Sequence, residues 1–465
     1  MKKDKVLLLF PDGVGIRNYL YSNVFNNLDT DLILYHNFDP ETIDVIKQNI
    51  SLSQEILIPK YQESLKEKFW RELICLSRLY YNNSKVNNPT LLKNWNWNHK
   101  TFSKKIFYKV IEFLAPFFKQ YSSIINLEKK YQKAIRKNPF YYEVKAFLEK
   151  SQPDIVFCSH QRALKAAPIF AAATDLKIKT TTVIYSWDNL PKARMALWAD
   201  NYFVWSEYMK DELNLYYPEI NSNQISVTGT PQFEFYEDNA NIISKEVFYN
   251  TYNLNLDKKI ICFSGDDTKT SPDDPKYLKD IAEEITKADL QHEYQILLRR
   301  CPVDFSERFD NVVSQYKDLI KEAPPLWYFS KSNEWNSVYP TLEDVKLLVS
   351  TAFYCDIVVN VGSTMAFDFG MFDKPCVFIN YDQEKKTVDD WSVKTIYNYQ
   401  HFRSMPNADA VIWLNRKEEI VDKIVFKRGW KSFEPLKKWS EILIGKNNDK
   451  ASINISNVLE KFYKE

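Results

Sequence analysis

Glycine placement constrains the fold of this chain more than any other feature of its sequence. Only eight glycines occur in 465 residues, and six lie just beyond a short apolar run or in the helix predicted after it. Glycine allows positive φ and lets a ligand approach the backbone closely. In an open α/β sheet, ligands bind outside the carboxyl ends of the strands. The sequence therefore predicts an α/β fold whose ligand-binding loops contain Gly13, Gly15, Gly229, Gly265, Gly362 and Gly370.

Apolar or β-branched runs alternate with helical periodicity along the first half of the chain, which is typical of a parallel sheet with crossover helices. Between Pro59 and Pro153 there is no strand pattern, and apolar residues recur there at helical spacing. This predicts a helical insertion of about residues 60–150. The predicted strands are Lys5 to Phe10, Asp31 to Tyr35, Glu55 to Ile58, Asp154 to Cys158, Thr181 to Tyr185, Tyr202 to Trp205 and Ile225 to Thr228.

A second series of apolar runs begins near Lys258 and predicts a second sheet. Its predicted strands are IICF, YQILL, LLVSTA leading into CDIVVNV, CVFIN and AVIWL. Two such series indicate an α/β chain of two Rossmann-like domains facing each other. We expect domains of residues 1–235 and 236–465, with terminal helices that pack back on the first domain.

Composition narrows the class of function. With 62 basic and 61 acidic side chains the formal net charge is +1, which gives no reason to expect a nucleic-acid partner. The six cysteines form no CxxC pair and read as buried thiols of a reducing compartment. No apolar run is long enough for a membrane span, so a cytoplasmic location is expected. No metal-ligand motif is present, and no metal or other cofactor is expected.

The sharpest motif is the segment from Cys355 to Asn380. Gly362 follows a buried strand, and Ser363 and Thr364 then begin a helix, where free N–H groups favour a phosphate. Asp368 lies one turn further on, where its carboxylate could accept two ribose hydroxyls. A plain capped helix with a solvated or lysine-paired Asp368 is the alternative.

This pattern, followed by Lys374-Pro375 and another strand, resembles the nucleotide-binding half of GT-B glycosyltransferases of the bacterial surface-polysaccharide type. That branch includes relatives of CDP-glycerol glycerophosphotransferases and Kdo transferases. Three further segments agree: Val227 to Pro231 resembles "V-x-G-x-P", Phe263 to Asp266 a second-domain strand end, and Leu298 to Pro302 "L-x-R-P-H-P".

The resemblance implies that the second domain binds a nucleotide-sugar donor and that metal is not needed. The implied donor-binding residues are Gly265, Asp266, Arg299, Arg300, Gly362, Ser363, Thr364 and Asp368. Either arginine could hold the diphosphate bidentately, or be paired structurally. Cys301 stands where such relatives often carry histidine, so the pattern is incomplete there.

The first domain would bind the acceptor, a glycan or a lipid-linked molecule. Asp12 follows the first strand, and the loop Gly13, Gly15 and Arg17 could face the acceptor or only shape a turn. His160 follows another strand, where a base for an acceptor hydroxyl would be needed, although a lone histidine is more often structural.

A third strand end carries Trp187, Asp188 and Asn189. Trp187 could stack on a sugar while Asp188 and Asn189 hold its hydroxyls, or Trp187 could lie in the core of a turn. The base expected of an inverting transferase is one of Asp12, His160 and Asp188.

Two aromatic segments leave alternatives open. Phe102 to Phe117 forms an apolar helical stripe beside lysines; it could rest peripherally on the inner membrane face, but packing on the sheet is the expected arrangement. Trp327 to Trp335 could cover the nucleotide base or only seal the domain.

The expected reaction is transfer of a sugar from a nucleotide-activated donor to a hydroxyl, in surface glycan or glycolipid synthesis. A polyol-phosphate transferase, a sugar-nucleotide epimerase and a non-catalytic sugar-nucleotide-binding protein are the alternatives. The lack of histidine between His292 and His401 weighs against the epimerase.

Overall fold

The computed structural model describes residues 3–329, 338–425, 433–446 and 448–464. The chain divides into two compact units. Unit 1 comprises residues 1–231, 399–401 and 443–465, and unit 2 comprises residues 232–398 and 402–442. The boundary between the units follows Pro231. The boundary expected from the sequence is four residues later, after residue 235.

Unit 1 is built on seven parallel strands in the order β3-β2-β1-β4-β5-β6-β7. The central strands are apolar on both faces, as expected of a parallel sheet that helices cover on both sides. All seven predicted strands are present. They are β1 (Lys5–Phe10), β2 (Asp31–His36), β3 (Gln54–Leu57), β4 (Ile155–Cys158), β5 (Lys179–Val183), β6 (Asn201–Val204) and β7 (Ile225–Val227). The helices outside the insertion are α1 (Pro40–Asn49), α6 (Ala166–Asp175), α7 (Glu207–Tyr216) and, at the end of the chain, α15 (Ala451–Lys464).

Strand order reverses between β1 and β4. After β1 the chain builds outward through β2 and β3, and then returns to place β4 on the other side of β1. In open α/β sheets, ligands bind beyond the carboxyl ends of the strands at such a reversal point. In unit 1 these two loops carry Asp12 and His160.

The predicted helical insertion is confirmed. It consists of α2 (Leu65–Val86), α3 (Phe102–Leu114), α4 (Tyr121–Ile135) and α5 (Pro139–Ser151). A capping box starts α2, because Ser64 accepts from the Glu67 backbone and Glu67 accepts from the Ser64 backbone. The helices enclose a core of their own that includes Leu73, Leu76, Ile111, Ile124 and Leu127.

The aromatic stripe of α3 does not pack on the sheet, so that expectation was wrong. Phe102, Ile106 and Phe113 are all more than half exposed, whereas Ile111 is buried. Periodicity alone gives the helix two apolar faces, and only one of them is needed for the core. No helix in the described ranges is long and apolar enough to cross a membrane.

Unit 2 is built on six parallel strands in the order β10-β9-β8-β13-β14-β15, again with a reversal of strand order, here between β8 and β13. The strands are β8 (Lys259–Ser264), β9 (Tyr294–Arg299), β10 (Ile320–Glu322), β13 (Ile357–Asn360), β14 (Cys376–Ile379) and β15 (Ile412–Leu414), with an antiparallel pair β11 (Trp327–Phe329) and β12 (Val338–Pro340). The helices are α8 (Lys245–Thr251), α9 (Asp274–Lys287), α10 (Asp310–Gln315), α11 (Leu342–Tyr354), α12 (Met365–Gly370), α13 (Val393–Tyr397) and α14 (Glu434–Ile444).

One predicted strand of unit 2 is wrong. LLVSTA lies inside α11, which is capped by Thr341 and extends for 13 residues. A short apolar run does not by itself distinguish a strand from a buried helical turn. Of the aromatic segment Trp327 to Trp335, the first three residues form β11, and residues 330–335 lie outside the described ranges.

Candidate functional site

Asp12 and His160 meet at the reversal point of unit 1. β1 and β4 are hydrogen-bonded neighbours, with Leu9 paired to Cys158, so the loops that follow them start side by side. The Asp12 Oδ2 atom lies 2.7 Å from Nδ1 of His160. The two side chains are only 7% and 8% exposed, so the contact is largely screened from water.

The contact orients the imidazole ring. An ionised carboxylate only accepts hydrogen bonds, so a proton on Nδ1 of His160 would be donated to Asp12, and Nε2 would then carry the lone pair of a neutral ring. No group in the described part of the chain hydrogen-bonds Nε2. Tyr185 flanks the imidazole, with ring centroids 6.2 Å apart, and burial raises the pKa of its phenol. An imidazole oriented in this way can accept a proton.

The glycines after β1 have a packing role. A Cβ on Gly15 would lie 2.4 Å from Cβ of Ser159, the residue before His160. Gly15 therefore lets the two strand-end loops approach each other closely, which accounts for it without a ligand. Gly13 is buried in the same 3₁₀ turn, where Asp12 accepts from the Val14 backbone.

Arg17 follows on a π-helical turn, and its Nε donates to Asn18 Oδ1 at 3.0 Å. Its positive charge opposes the rise in the pKa of Tyr185 that burial causes.

Asp188 stands apart from that pair and is tied into its own loop. Its carboxylate accepts from Ser186 Oγ and Asn189 Nδ2, each at 2.8 Å, and pairs with Lys192. Burial disfavours the charge, but Lys192, His401 and the hydrogen bond from Ser186 outweigh it and lower the pKa of Asp188. Three donors make this carboxylate a weak base at neutral pH.

Trp187 and Asn189 face inward. Trp187 is buried and meets the His401 ring edge-on, with centroids 4.6 Å apart, in an arrangement that belongs to the core alternative. Asn189 Oδ1 accepts from Gln161 at 3.1 Å. Burial lowers the pKa of His401 to about 4, so this histidine is neutral at pH 7.

In unit 2, Gly362 lies in the left-handed region with φ of +72°, and a Cβ there would lie 2.7 Å from the Phe402 ring. The turn it forms is closed by the Ser363 N–H, which donates to Asn360 Oδ1 at 2.9 Å. Thr364 precedes α12, a helix of six residues. Glycine is required at this turn by both its backbone conformation and its packing.

Asp368 lies inside unit 2 and is 3% exposed. The Tyr236 hydroxyl donates to its Oδ1 at 2.7 Å. The Asp368 carboxylate is thus hydrogen-bonded to the buried Tyr236, a partner that the sequence does not indicate.

The two arginines after β9 have carboxylate partners. Arg299 Nη2 donates to both Asp344 oxygens at 2.9 and 3.0 Å. Arg300 pairs with Glu322 and Asp310, as expected in the structural alternative. The Nη1 group of Arg299 is buried, and in the described part of the chain it has no hydrogen-bond partner.

The Gly265–Asp266 loop after β8 is acidic. A Cβ on Gly265 would lie 2.9 Å from the Phe309 ring, and the Asp266 N–H donates to Asp274 Oδ2 at 2.6 Å. Burial, with the neighbouring carboxylate, raises the pKa of Asp266 well above its usual range, and burial raises that of Asp274 to about 6. Arg308 donates to the Asp266 carbonyl and lies 3.9 Å from Asp274. Two clustered carboxyls suit hydroxyl or base hydrogens better than phosphate oxygens.

No group of three potential metal ligands is close enough to hold an ion within the described ranges. The expectation that activity needs no metal stays a prediction.

Comparison with known proteins agrees with this architecture. The model of the monogalactosyldiacylglycerol (MGDG) synthase family matches residues 80–231, which contain His160 and Asp188. No curated protein sequence matches the chain.

Solved structures match over the whole chain at low identity. UDP-GlcNAc 2-epimerase from Methanocaldococcus jannaschii is 14% identical, with 99% of this chain and 100% of that chain covered and a TM-score of 0.51. The S. aureus MnaA–UDP structure is 12% identical, with 100% of this chain and 97% of that chain covered and a TM-score of 0.50. A glycosyltransferase from Rickettsia africae is 13% identical, with 100% of this chain and 99% of that chain covered and a TM-score of 0.50. The chain has a GT-B fold, with two parallel-sheet α/β units. The predicted fold class is confirmed.

Several residues of these sites are absent from the sequence prediction. Each is a partner of a predicted site residue: Tyr236 of Asp368, Asp274 of Asp266, and His401 of Trp187. Tyr236 and His401 are far along the chain from their partners, and Asp274 belongs to the helix α9 rather than to the loop of Asp266. For Asp274 the only signal is proximity, since it lies eight residues after Asp266 along the chain. Nothing in the sequence indicates the other two contacts.

Proposed function

We propose that this protein is a glycosyltransferase that moves a sugar from a nucleotide-activated donor to a hydroxyl acceptor. The observation that carries the proposal is the buried Asp12–His160 pair at the strand reversal of unit 1. The GT-B fold and the partial match to a galactolipid synthase family support the same class of reaction.

In the proposed reaction Nε2 of His160 accepts the acceptor hydroxyl proton. The freed oxygen attacks the anomeric carbon of the donor as the bond to the diphosphate oxygen breaks, and the nucleoside diphosphate leaves. Asp12 holds the ring in the required tautomer and stabilises the imidazolium that forms. A base on the acceptor implies a single displacement with inversion at the anomeric carbon.

Unit 2 is proposed to bind the donor at the ends of β8 and β13. Two of the similar structures are named for UDP-GlcNAc or UDP, which makes UDP the first nucleotide to test. The unpartnered Nη1 of Arg299 is the proposed donor to the diphosphate, since a buried N–H group without a partner costs about 1–3 kcal/mol until one is supplied.

The proposed function is tested first by nucleotide binding. UDP, GDP, CDP and CMP are compared for their effect on the melting temperature, because a ligand of the folded state stabilises it by mass action. One of the four is expected to raise the Tm. Arg299→Lys keeps a charge opposite Asp344 but removes the forked Nη1 group, and it should weaken that response. Arg300→Lys is the matched control, because Nε of Arg300 already donates to Glu322 and its Nη2 to Asp310.

A sugar-nucleotide epimerase is the second candidate. The raised pKa values of Asp266 and Asp274 favour it, since a protonated carboxyl beside a carboxylate can act as acid and base. The two candidates differ in what happens to the donor alone. NMR can detect epimerisation of a UDP-sugar in the absence of an acceptor, and that result would refute the transferase proposal. Release of nucleoside diphosphate only when an acceptor is present, together with a product whose mass includes the sugar, would support it. A product heavier by a polyol phosphate would instead identify the polyol-phosphate transferase.

A further inference from the structure

The exposed face of α3 carries a stripe of large apolar side chains. Phe102 is 80% exposed and Phe113 70%, and the stripe continues into the 3₁₀ turn after the helix. We call residues Phe102–Lys119 the α3 surface. Its exposed apolar side chains are Phe102, Ile106, Val110, Phe113 and Phe117.

These side chains form one stripe. At about 100° per residue they fall within an arc of about 80°, while Ile111 and Ala115 point to the opposite side and are buried in the insertion core. The helix is therefore held in place by its other face. Folding of unit 1 does not account for five exposed apolar side chains on one face, three of them phenylalanines, because exposed apolar residues are usually scattered singly.

The stripe lies within a strongly basic segment. Residues 93–119 contain six lysines and a single acidic residue, Glu112, although the whole chain has a net charge of only +1. Glu112 is itself engaged by Trp95 Nε1 at 3.3 Å and by Lys109 at 2.6 Å. All six lysines are exposed. At the same angle of about 100° per residue, Lys105 and Lys109 lie beside the stripe, whereas Lys104 lies on the side of Ile111.

We propose that the α3 surface docks on an anionic lipid bilayer. Its aromatic and aliphatic side chains enter the boundary between headgroups and acyl chains, and the lysines contact lipid phosphates. A second copy of the chain is a poorer occupant, because pairing two such surfaces would bring like charges together. The proposal does not depend on glycosyl transfer, since docking requires no turnover.

Vesicle binding tests the proposal with the full-length protein. We expect it to sediment with vesicles of phosphatidylcholine containing phosphatidylglycerol, and to bind pure phosphatidylcholine vesicles several-fold more weakly. Raising the salt from 0.1 to 0.5 M should weaken binding to the anionic vesicles, since exposed charges are then screened over shorter distances.

Two sets of variants separate the apolar and charged contributions. The triple variant Phe102→Ser, Phe113→Ser, Phe117→Ser should lower the partition coefficient at least about tenfold. Lys105→Gln with Lys109→Gln should remove much of the preference for anionic vesicles. The matched controls are Phe305→Ser, which changes a phenylalanine that is 73% exposed in unit 2, and Lys437→Gln with Lys438→Gln, an exposed lysine pair on α14. Both controls should bind like the unmodified protein.

Three results would overturn the proposal. The first is failure of the unmodified protein to bind anionic vesicles, and the second is equal binding by the triple variant. The third comes from sedimentation velocity: if the unmodified protein is a dimer and the triple variant a monomer, the stripe is an interface between copies. Circular dichroism and the Tm of each variant show whether it is folded; because all three phenylalanines are more than two-thirds exposed, both should be unchanged.

Discussion

Replacing Asp12 by asparagine separates two tasks that its carboxylate performs at once. Oδ1 accepts from the Val14 N–H at 3.2 Å, and Oδ2 faces Nδ1 of His160 at 2.7 Å. An asparagine has one acceptor oxygen and one NH₂ group, so it can match only one of these partners.

The size of the effect follows from the two possible amide orientations. With the amide oxygen on Val14, the NH₂ group faces Nδ1, and the ring must carry its proton on Nε2, where it cannot act as a base. The flipped amide restores the reactive tautomer but leaves the Val14 N–H against a second donor, at about 1–3 kcal/mol. The reactive form therefore falls about 5- to 150-fold, and loss of the charge beside the imidazolium adds to this. We expect a total loss in kcat of ~10²–10⁴, as for His160→Ala.

The assay is acceptor-dependent release of nucleoside diphosphate, with donor affinity measured separately by calorimetry. Both variants should bind the donor nearly as well as the unmodified protein, because the pair acts on the acceptor. Asp39→Asn is the matched control, because Asp39 also caps a helix in unit 1, through Thr42 N at 2.9 Å. Asparagine caps a helix about as well as aspartate, so stability and turnover should both be nearly unchanged.

Near-normal turnover by both Asp12→Asn and His160→Ala would refute the reasoning. The base would then lie elsewhere, or the reaction would proceed by another route. A fall in turnover that merely tracks a loss of stability in urea denaturation would also remove the pair from the chemistry.

The remaining predictions concern stability and packing around the two sites. Gly15→Ala should lower the free energy of unfolding by about 1–3 kcal/mol and reduce turnover, because the new Cβ would collide with the Ser159 side chain. Adding Ser159→Gly removes that side chain and should restore both stability and turnover. A double variant that is no better than Gly15→Ala would contradict this explanation. The pKa values of Asp266 and Asp274 are raised in the folded state, so each carboxyl stabilises the fold most when it is protonated. The contribution of Asp274 is present below about pH 4 and is lost as pH rises through about 6, and that of Asp266 is likewise lost as pH rises through its raised pKa. Asp266→Asn should therefore flatten the fall in the free energy of unfolding between pH 4 and 7, whereas parallel curves in urea denaturation would count against it. Asp188 has a lowered pKa, so the stability that its carboxylate contributes is present at neutral pH and is lost as pH falls below about 4. Asp188→Asn should lower the free energy of unfolding by about 1–3 kcal/mol at pH 7, and this difference from the unmodified protein should shrink in acid. A difference that is the same at all pH values would contradict the prediction.

The strands and their order of appearance were predictable because they depend on local composition. A buried parallel strand such as β1 is apolar along its whole length, and this leaves a plain mark on the sequence. The loop residues that follow such strands are predictable too, since strand ends are where polar residues and glycines resume. Asp12 and His160 were found in this way, each as a separate residue.

Their contact was not predictable from the sequence. The two residues are 148 positions apart, and the helical insertion lies between them. Only the sheet order, with β4 returning beside β1, brings the two loops together, and that order depends on how helices cover both faces rather than on either strand. The same holds for Asp368 and Tyr236, and for His401, which belongs to unit 1 although unit 2 precedes it in the chain.

The sequence by itself determined the alternation of strands and helices, the helical insertion and the positions where strand-end chemistry begins, because hydrophobic periodicity and turn preferences act over a few residues. Tertiary structure decided which strand-end residues become partners, which arginine groups are already neutralised, and which face of α3 stays exposed. These outcomes depend on contacts between segments far apart in the chain, where burial and hydrogen bonding are set by neighbours that no local pattern specifies.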